Sequence, residues 1–291
     1  MIDFEYHQPA SLEETFHLLQ KYGEGASLLA GGTALLVDIK RGERRPTHLV
    51  SLWGVPQLSG IEQNGGLSIG ALSTVTELAQ AVRDQRSLSG LREAALLLGG
   101  LQIQNMATVG GNICYASPGA DLVPPLLVLD ATLRVSGPEG ERKMPLDGFL
   151  TGPDTTALQA GEVLNRIDLL PAPARTGTAF IKIMRRQALD CSIVSAAARV
   201  TLGEDGETCQ EVRIGLGAVA PTPFRARKAE SILTGQVANP DLLEQVAEQA
   251  RQETSPISDV RASADYRRML TETLVERAIR TAIKRAKGES G

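Results

Sequence analysis

QIQNMATVGGNICYASPGADLVPP, residues Gln102 to Pro125, is the stretch that decides how this chain is read. At its centre, Thr108-Val109-Gly110-Gly111-Asn112 sets two adjacent glycines among small and polar residues. A turn without Cβ atoms lets backbone N–H groups approach an anion and ring it. A second double glycine lies about eighty residues earlier, in Leu29-Ala30-Gly31-Gly32-Thr33-Ala34-Leu35, where a short apolar run gives way to a helical pattern. Together the two glycine turns predict one cradle for the diphosphate of a dinucleotide-sized ligand. Either pair alone also reads as an ordinary turn, because the chain has 29 glycines.

The bulk composition narrows the function classes. A chain of 291 residues exceeds one average domain, so two domains are expected, each with its own core. The 30 basic and 34 acidic residues are intermixed and sum to −4, which speaks against nucleic acid and anionic membranes as partners. Aromatic content is 3% and Trp53 is the sole Trp, too little for a single-strand stacking platform. Cys114, Cys191 and Cys209 are scattered, which argues against a disulfide framework, a zinc site or an iron–sulfur cluster built from cysteines, and for a cytoplasmic location. The start, MIDFEYHQP, has no apolar h-region, and no apolar run reaches the roughly 18 residues of a membrane span.

Outward from the central stretch, the pattern is α+β in both halves. Ser11-Leu12-Glu13-Glu14 has the form of a capping box ahead of a helix with Leu12, Phe16 and Leu19 on one face. Ser27 to Ala30 and His48 to Leu52 read as strands, and Leu35, Leu36 and Ile39 mark the helix between them. Thr74-x-x-Glu77 caps another helix, and Leu88 to Leu98 forms one that ends at Gly99-Gly100. Pro124-Pro125 starts a helix; Thr132 to Ser136 and Glu141 to Met144 make a hairpin, and Glu162 to Leu169 adds a strand. The run Leu170 to Gly177 has the Pro and Gly content of a boundary, dividing the chain into domains 1–175 and 176–291. Beyond it, segments near Phe180 to Arg185, Ile193 to Leu202 and Val212 to Ala218 predict three antiparallel strands. Arg225 to Leu233, Asp241 to Gln252 and Ala264 to Lys287 read as helices.

Several motifs are weighed against plainer readings. Gly215-Leu216-Gly217-Ala218-Val219-Ala220 fits G-x-G-x-x-A, yet Pro221 and Pro223 follow at once and forbid the helix that must face a pyrophosphate. Asp121 offers a carboxylate to sugar or ribityl hydroxyls, or equally an N-cap before Pro124-Pro125. Lys182 interrupts an apolar strand, either as a solvent-facing charge or as a cation beside a redox ring. His7, His17 and His48 show no metal-binding spacing in sequence, and neither H-E-x-x-H, G-x-S-x-G nor a Walker motif occurs. No residue is marked as a catalytic acid, base or nucleophile.

Three longer strings carry a family resemblance: AGGTALLVDIKRG (30–42), the run 102–131 and KIMRRQALDCSIVSAAARV (182–200). With Asp259 to Arg267 they make the chain resemble the FAD-binding medium subunit of the molybdenum hydroxylases, which include xanthine dehydrogenase and carbon monoxide dehydrogenase. The resemblance implies an N-terminal FAD-binding domain of the vanillyl-alcohol-oxidase (PCMH) type and a smaller C-terminal domain of three strands with helices. It implies that Leu29, Ala30, Gly31, Gly32, Thr33, Ala34 and Leu35, with Thr108, Gly110, Gly111 and Asn112, hold the FAD diphosphate, and that Asp121, Leu164 and Lys182 are further contacts. Leu98 stands where animal-type relatives carry an aromatic over the flavin, and the cysteine-rich insertion of the 4-hydroxybenzoyl-CoA reductases is missing. The implied activity is that of an oxidoreductase subunit. Electrons from 2Fe-2S clusters on a small subunit, fed by a molybdopterin cofactor on a large one, would pass through FAD to NAD or another soluble acceptor in a dimer of heterotrimers. The alternatives are a free-standing flavin oxidoreductase and an assembly module without cofactor.

Overall fold

The computed structural model describes residues 3–186 and 189–289. Three parallel strands open the chain, in the order Glu5–His7, His48–Ser51, Ala26–Leu29. Parallel pairing requires crossover connections, which helices Leu12–Tyr22 and Leu35–Arg41 supply. Ser11 caps the first helix by accepting from the Glu14 N–H at 3.2 Å; the Glu14 carboxylate reaches back to the Ala10 N–H at 2.7 Å, one residue further than a capping box predicts. Gly42 closes the second helix in the left-handed region, at φ 75°.

A five-stranded antiparallel sheet follows, ordered Ile61–Glu62, Leu67–Gly70, Val163–Leu169, Thr132–Gly137, Gly140–Pro145. The predicted hairpin is present, with Gly137 paired to Gly140. Strand Val163–Leu169 takes the central place, so this sheet closes only after the intervening helices are laid down. Among those helices, Val75–Ala81 carries the full Thr74–Glu77 capping box and Ser89–Leu97 ends before Gly99, at φ 58°. Ile69, Leu91, Ile113, Leu126 and Phe149 are fully buried in the core between helices and sheet.

The second double glycine departs from expectation. Gly110 and Gly111 lie inside the first turn of helix Val109–Cys114, with Thr108 as N-cap. Two glycines in six residues disfavour a helix by propensity; tertiary packing overrides it, since a Cβ on Gly110 would meet the Ala71 Cβ at 2.6 Å and its carbonyl oxygen at 2.8 Å.

The three expected late strands are Thr176–Ile183, Val194–Leu202 and Thr208–Gly217, all antiparallel. Phe224–Arg225 and Gln236–Val237 extend this sheet, so Arg225, the first residue of the predicted helix, is strand and the helix begins at Arg227. Two-residue strands carry too little alternation to be read from sequence. Every residue of Val194–Leu202 is buried. Ala197 faces the N-terminal core, whereas Ala196 and Ala198 face a second core containing Leu274, Ala278 and Ile279 of helix Ala264–Ala286. Helices thus cover both faces of this sheet, which explains why the strand is buried along its whole length although Ser195, Arg199 and Thr201 alternate with its apolar residues. Gly215 and Gly217 of the Rossmann-like string press against Pro124: a Cβ on Gly215 would lie 2.5 Å from the Pro124 carbonyl oxygen. These glycines serve helix–sheet packing.

Gly177 tests that packing. A Cβ there would sit 2.2 Å from the Ala282 carbonyl oxygen and 2.5 Å from the Ala286 nitrogen, whereas one on Gly119 meets nothing within 4 Å. Calorimetry should show Gly177→Ala destabilised by about 1–3 kcal/mol and Gly119→Ala within about 0.5 kcal/mol of wild type. Equal melting of the two variants would contradict this packing.

Candidate functional site

The two double glycines converge on one cavity of about 430 Å³, a size typical of small-molecule and cofactor clefts. Its first wall is the segment that follows strand Ala26–Leu29: Ala30, Gly31, Gly32, Thr33, Ala34 and Leu35 all line it. Gly32 takes φ 72°, which redirects the chain from strand into helix Leu35–Arg41. Leu29 packs beneath it, outside the cavity, with Cδ1 3.2 Å from where a Gly32 Cβ would lie. Trp53 Nε1 donates to the Ala30 carbonyl at 2.8 Å and pins the segment in place.

The backbone N–H groups of residues 31–35 have no acceptor among the described residues. The second segment differs. Val109 N–H donates to the Ser73 carbonyl and Gly110 N–H to the Ala71 carbonyl, each at 2.9 Å; Gly111 N–H donates to Thr108 Oγ1 and Asn112 N–H to the Thr108 carbonyl, each at 3.0 Å. Its donors are spent inside the fold. What it contributes is a smooth wall, since Thr108, Gly110, Gly111 and Asn112 line the cavity opposite the first segment. A Cβ on Gly31 would lie only 1.9 Å from the Met106 carbonyl oxygen, so the segments touch backbone to backbone. The expectation that both glycine pairs ring an anion therefore divides: the first offers donors and the second offers shape.

Leu52, Leu72, Leu98, Leu158, Val163 and Leu164 supply apolar walls. At the cleft edge, Tyr115 OH donates to Asp38 Oδ1 at 3.3 Å, and the Arg44 guanidinium carbon lies 5.9 Å from the Tyr115 ring centroid. Burial, then the neighbouring Asp38 carboxylate, pushes the Tyr115 phenol above its ordinary range. Burial pushes the Cys114 thiol up to about 12, so it stays protonated at neutral pH. Among the described residues, Arg44 is the only charged side chain lining the cavity. Trp53, Tyr115 and Arg44 escaped the sequence reading. Only the scarcity of aromatics pointed toward the first two, and Arg44 is hidden in the basic run Lys40 to Arg45.

Asp121 and Lys182 lie behind the wall. Lys182 Nζ donates to Asp121 Oδ2 at 2.7 Å and to the Leu97 carbonyl at 3.4 Å, and Ser192 Oγ donates to Asp121 Oδ1 at 2.9 Å. Both plain alternatives fall away. Asp121 does not cap helix Val123–Val128, whose N-cap is Leu122 with no side-chain bond. The Lys182 side chain is 0% exposed. Burial pushes the Asp121 carboxyl up, and the Lys182 ammonium and Ser192 hydroxyl pull it back. The pair reaches the cavity through neighbours: Leu122 N–H donates to Asn112 Oδ1 at 3.2 Å, and the Leu97 carbonyl is one residue from Leu98.

Residues 2–173 match the family profile "FAD binding domain in molybdopterin dehydrogenase", and residues 179–282 match "CO dehydrogenase flavoprotein C-terminal domain". The chain is 36% identical over 293 aligned residues to the putative xanthine dehydrogenase FAD-binding subunit of Escherichia coli, covering 99% of each. It is 34% identical to the carbon monoxide dehydrogenase medium chain of Hydrogenophaga pseudoflava, covering 96% of each. Carbon monoxide dehydrogenase from H. pseudoflava superimposes with a TM-score of 0.93 at 34% identity, covering 97% of this chain and 98% of that one. Quinoline 2-oxidoreductase from Pseudomonas putida does so at 0.89 and 31%, covering 98% of each. Among the described residues no helix is long and apolar enough to cross a membrane. A cleft between two double-glycine segments, within an FAD-binding domain joined to a smaller flavoprotein C-terminal domain, thus places this chain in the family of FAD-binding medium subunits of the molybdenum hydroxylases.

Proposed function

We propose that the cleft holds one FAD, with its diphosphate on the N–H groups of residues 31–35. The observation that carries this reading is a run of five donors without acceptors among the described residues, all on the cavity wall. Backbone amides can neutralise a diphosphate without basic side chains. Thr108, Gly110, Gly111 and Asn112 form the facing wall, Leu164 and Leu98 contact apolar parts of the cofactor, and Leu29 supports the first segment from beneath. Asp121 and Lys182 act as positioning residues, bracing Asn112 and Leu98. The domain boundary falls at 175/176, a placement supported by profiles that end at 173 and resume at 179.

Bound FAD supplies the redox chemistry, and the protein supplies binding, orientation and exclusion of water. In this reading the chain works in the cytoplasm within a complex, as a dimer of heterotrimers. It receives electrons from 2Fe-2S clusters of a small subunit, downstream of a molybdopterin-bearing large subunit, and delivers them to NAD or another soluble acceptor. Electron delivery suits a cleft in which Arg44 is the one charged lining group among the described residues and the Cys114 thiol stays protonated, since proton abstraction from a substrate needs a base beside the reacting atom.

Two outcomes test this. Trp53→Phe loses the bond to the Ala30 carbonyl, worth about 0.5–1.5 kcal/mol, so FAD affinity in a fluorescence-quenching titration should fall up to about tenfold. Gly32→Val forces a β-branched residue to φ 72° and should abolish FAD retention on desalting. In the assembled complex, Gly32→Val should leave substrate-dependent bleaching of the iron–sulfur absorbance intact while acceptor reduction disappears. Substrate turnover by the isolated wild-type chain would instead favour a free-standing oxidoreductase.

A further inference from the structure

Outside the cleft lining, three side chains with metal-binding chemistry converge on the N-terminal sheet. Glu5 and His7 are two apart on one strand, so both leave the same face. His48 begins the neighbouring parallel strand, in register with Glu5. His7 Nε2 lies 3.1 Å from His48 Nδ1, and Glu5 Oε2 lies 3.8 Å and 3.6 Å from those two nitrogens. Donor atoms bound to a tetrahedral Zn²⁺ through bonds of about 2.0–2.1 Å sit about 3.3 Å apart. The three observed separations bracket that spacing.

The surroundings hold the imidazoles in place. The Tyr22 ring stacks on His48 with centroids 3.7 Å apart and on His7 at 5.0 Å, covering the cluster from the end of helix Leu12–Tyr22. Lys21 Nζ lies 4.8 Å from the Tyr22 ring centroid. Both histidines are partly buried, whereas Glu5 is exposed, which leaves one direction open to water. A hydrogen bond between the imidazoles accounts for the histidine pair. The Glu5 carboxylate lies beyond hydrogen-bond distance of both nitrogens, so that bond does not place it there.

We propose that Glu5, His7 and His48 form a site for a divalent transition-metal ion of the zinc class. Two imidazoles and one carboxylate are a donor set that zinc takes readily, with water in the fourth position. The ion would clamp strand Glu5–His7 to strand His48–Ser51 beneath Tyr22, separately from the flavin cleft.

The test uses the full chain carrying its FAD, stripped with EDTA, dialysed against Zn²⁺ and assayed by elemental mass spectrometry. Wild type should retain one zinc per chain. Affinity should fall at least about tenfold in His7→Gln and His48→Gln, with FAD content unchanged, and added zinc should raise the melting temperature of wild type alone. Should either histidine variant fail to fold, the exposed Glu5→Gln carries the same comparison. Zinc retention no greater in wild type than in Glu5→Gln would overturn the proposal. So would loss of zinc on alkylation of the exposed Cys191.

Discussion

The contact between Gly31 and the Met106 carbonyl is the constraint on which the rest of this structure depends. A Cβ at Gly31 would stand 1.9 Å from that oxygen, a distance that no small shift absorbs. Gly110 repeats the arrangement against Ala71. These glycines are therefore required first by backbone meeting backbone, where the parallel sheet joins the helices beside the antiparallel one. The cleft is the consequence. Once the segments abut, residues 31–35, whose N–H donors have no acceptor among the described residues, line one cavity with helix Val109–Cys114.

The C-terminal sheet braces this cleft from behind. Its first strand, Thr176–Ile183, lies against helix Ser89–Leu97: Gly90 N–H donates to Thr178 Oγ1 at 3.0 Å, and Phe180 N–H to the Glu93 carboxylate at 2.8 Å. Through Lys182 the same strand grips Asp121 and the carbonyl preceding Leu98. Removing one member of a buried ion pair strands the other charge, at a cost of about 3–5 kcal/mol. The pair is thus better understood as an anchor between the late strand and the segment after Asn112 than as surface charge near a ligand.

Much of this was legible in the sequence because it rests on local chemistry. The Thr74–Glu77 capping box, the hairpin turning at Pro138-Glu139, the helix before Gly99 and the three late strands each carry a periodicity or turn signal a few residues long. The paired glycines were legible as a unit, but not their division of labour. Which N–H groups are spent depends on acceptors at Ser73 and Ala71, some forty residues from the first segment and invisible to spacing. The partners of Asp121 were hidden for the same reason, since Lys182 and Ser192 come from beyond the domain boundary. His7 and His48 have no metal spacing along the chain and meet only because two parallel strands pair His48 with Glu5, two residues from His7. Propensity misread Gly110-Gly111 as a turn, because the Thr108 cap and the contact with Ala71 outweigh the helical cost of glycine.

The central claim is that one segment donates and the other shapes, and amide hydrogen exchange measures that division directly. Adding FAD to the cofactor-free chain should slow exchange sharply at residues 31–35. Residues 109–112, already bonded within the fold, should be protected to the same extent with and without it. New protection at 109–112 with none at 31–35 would contradict the account.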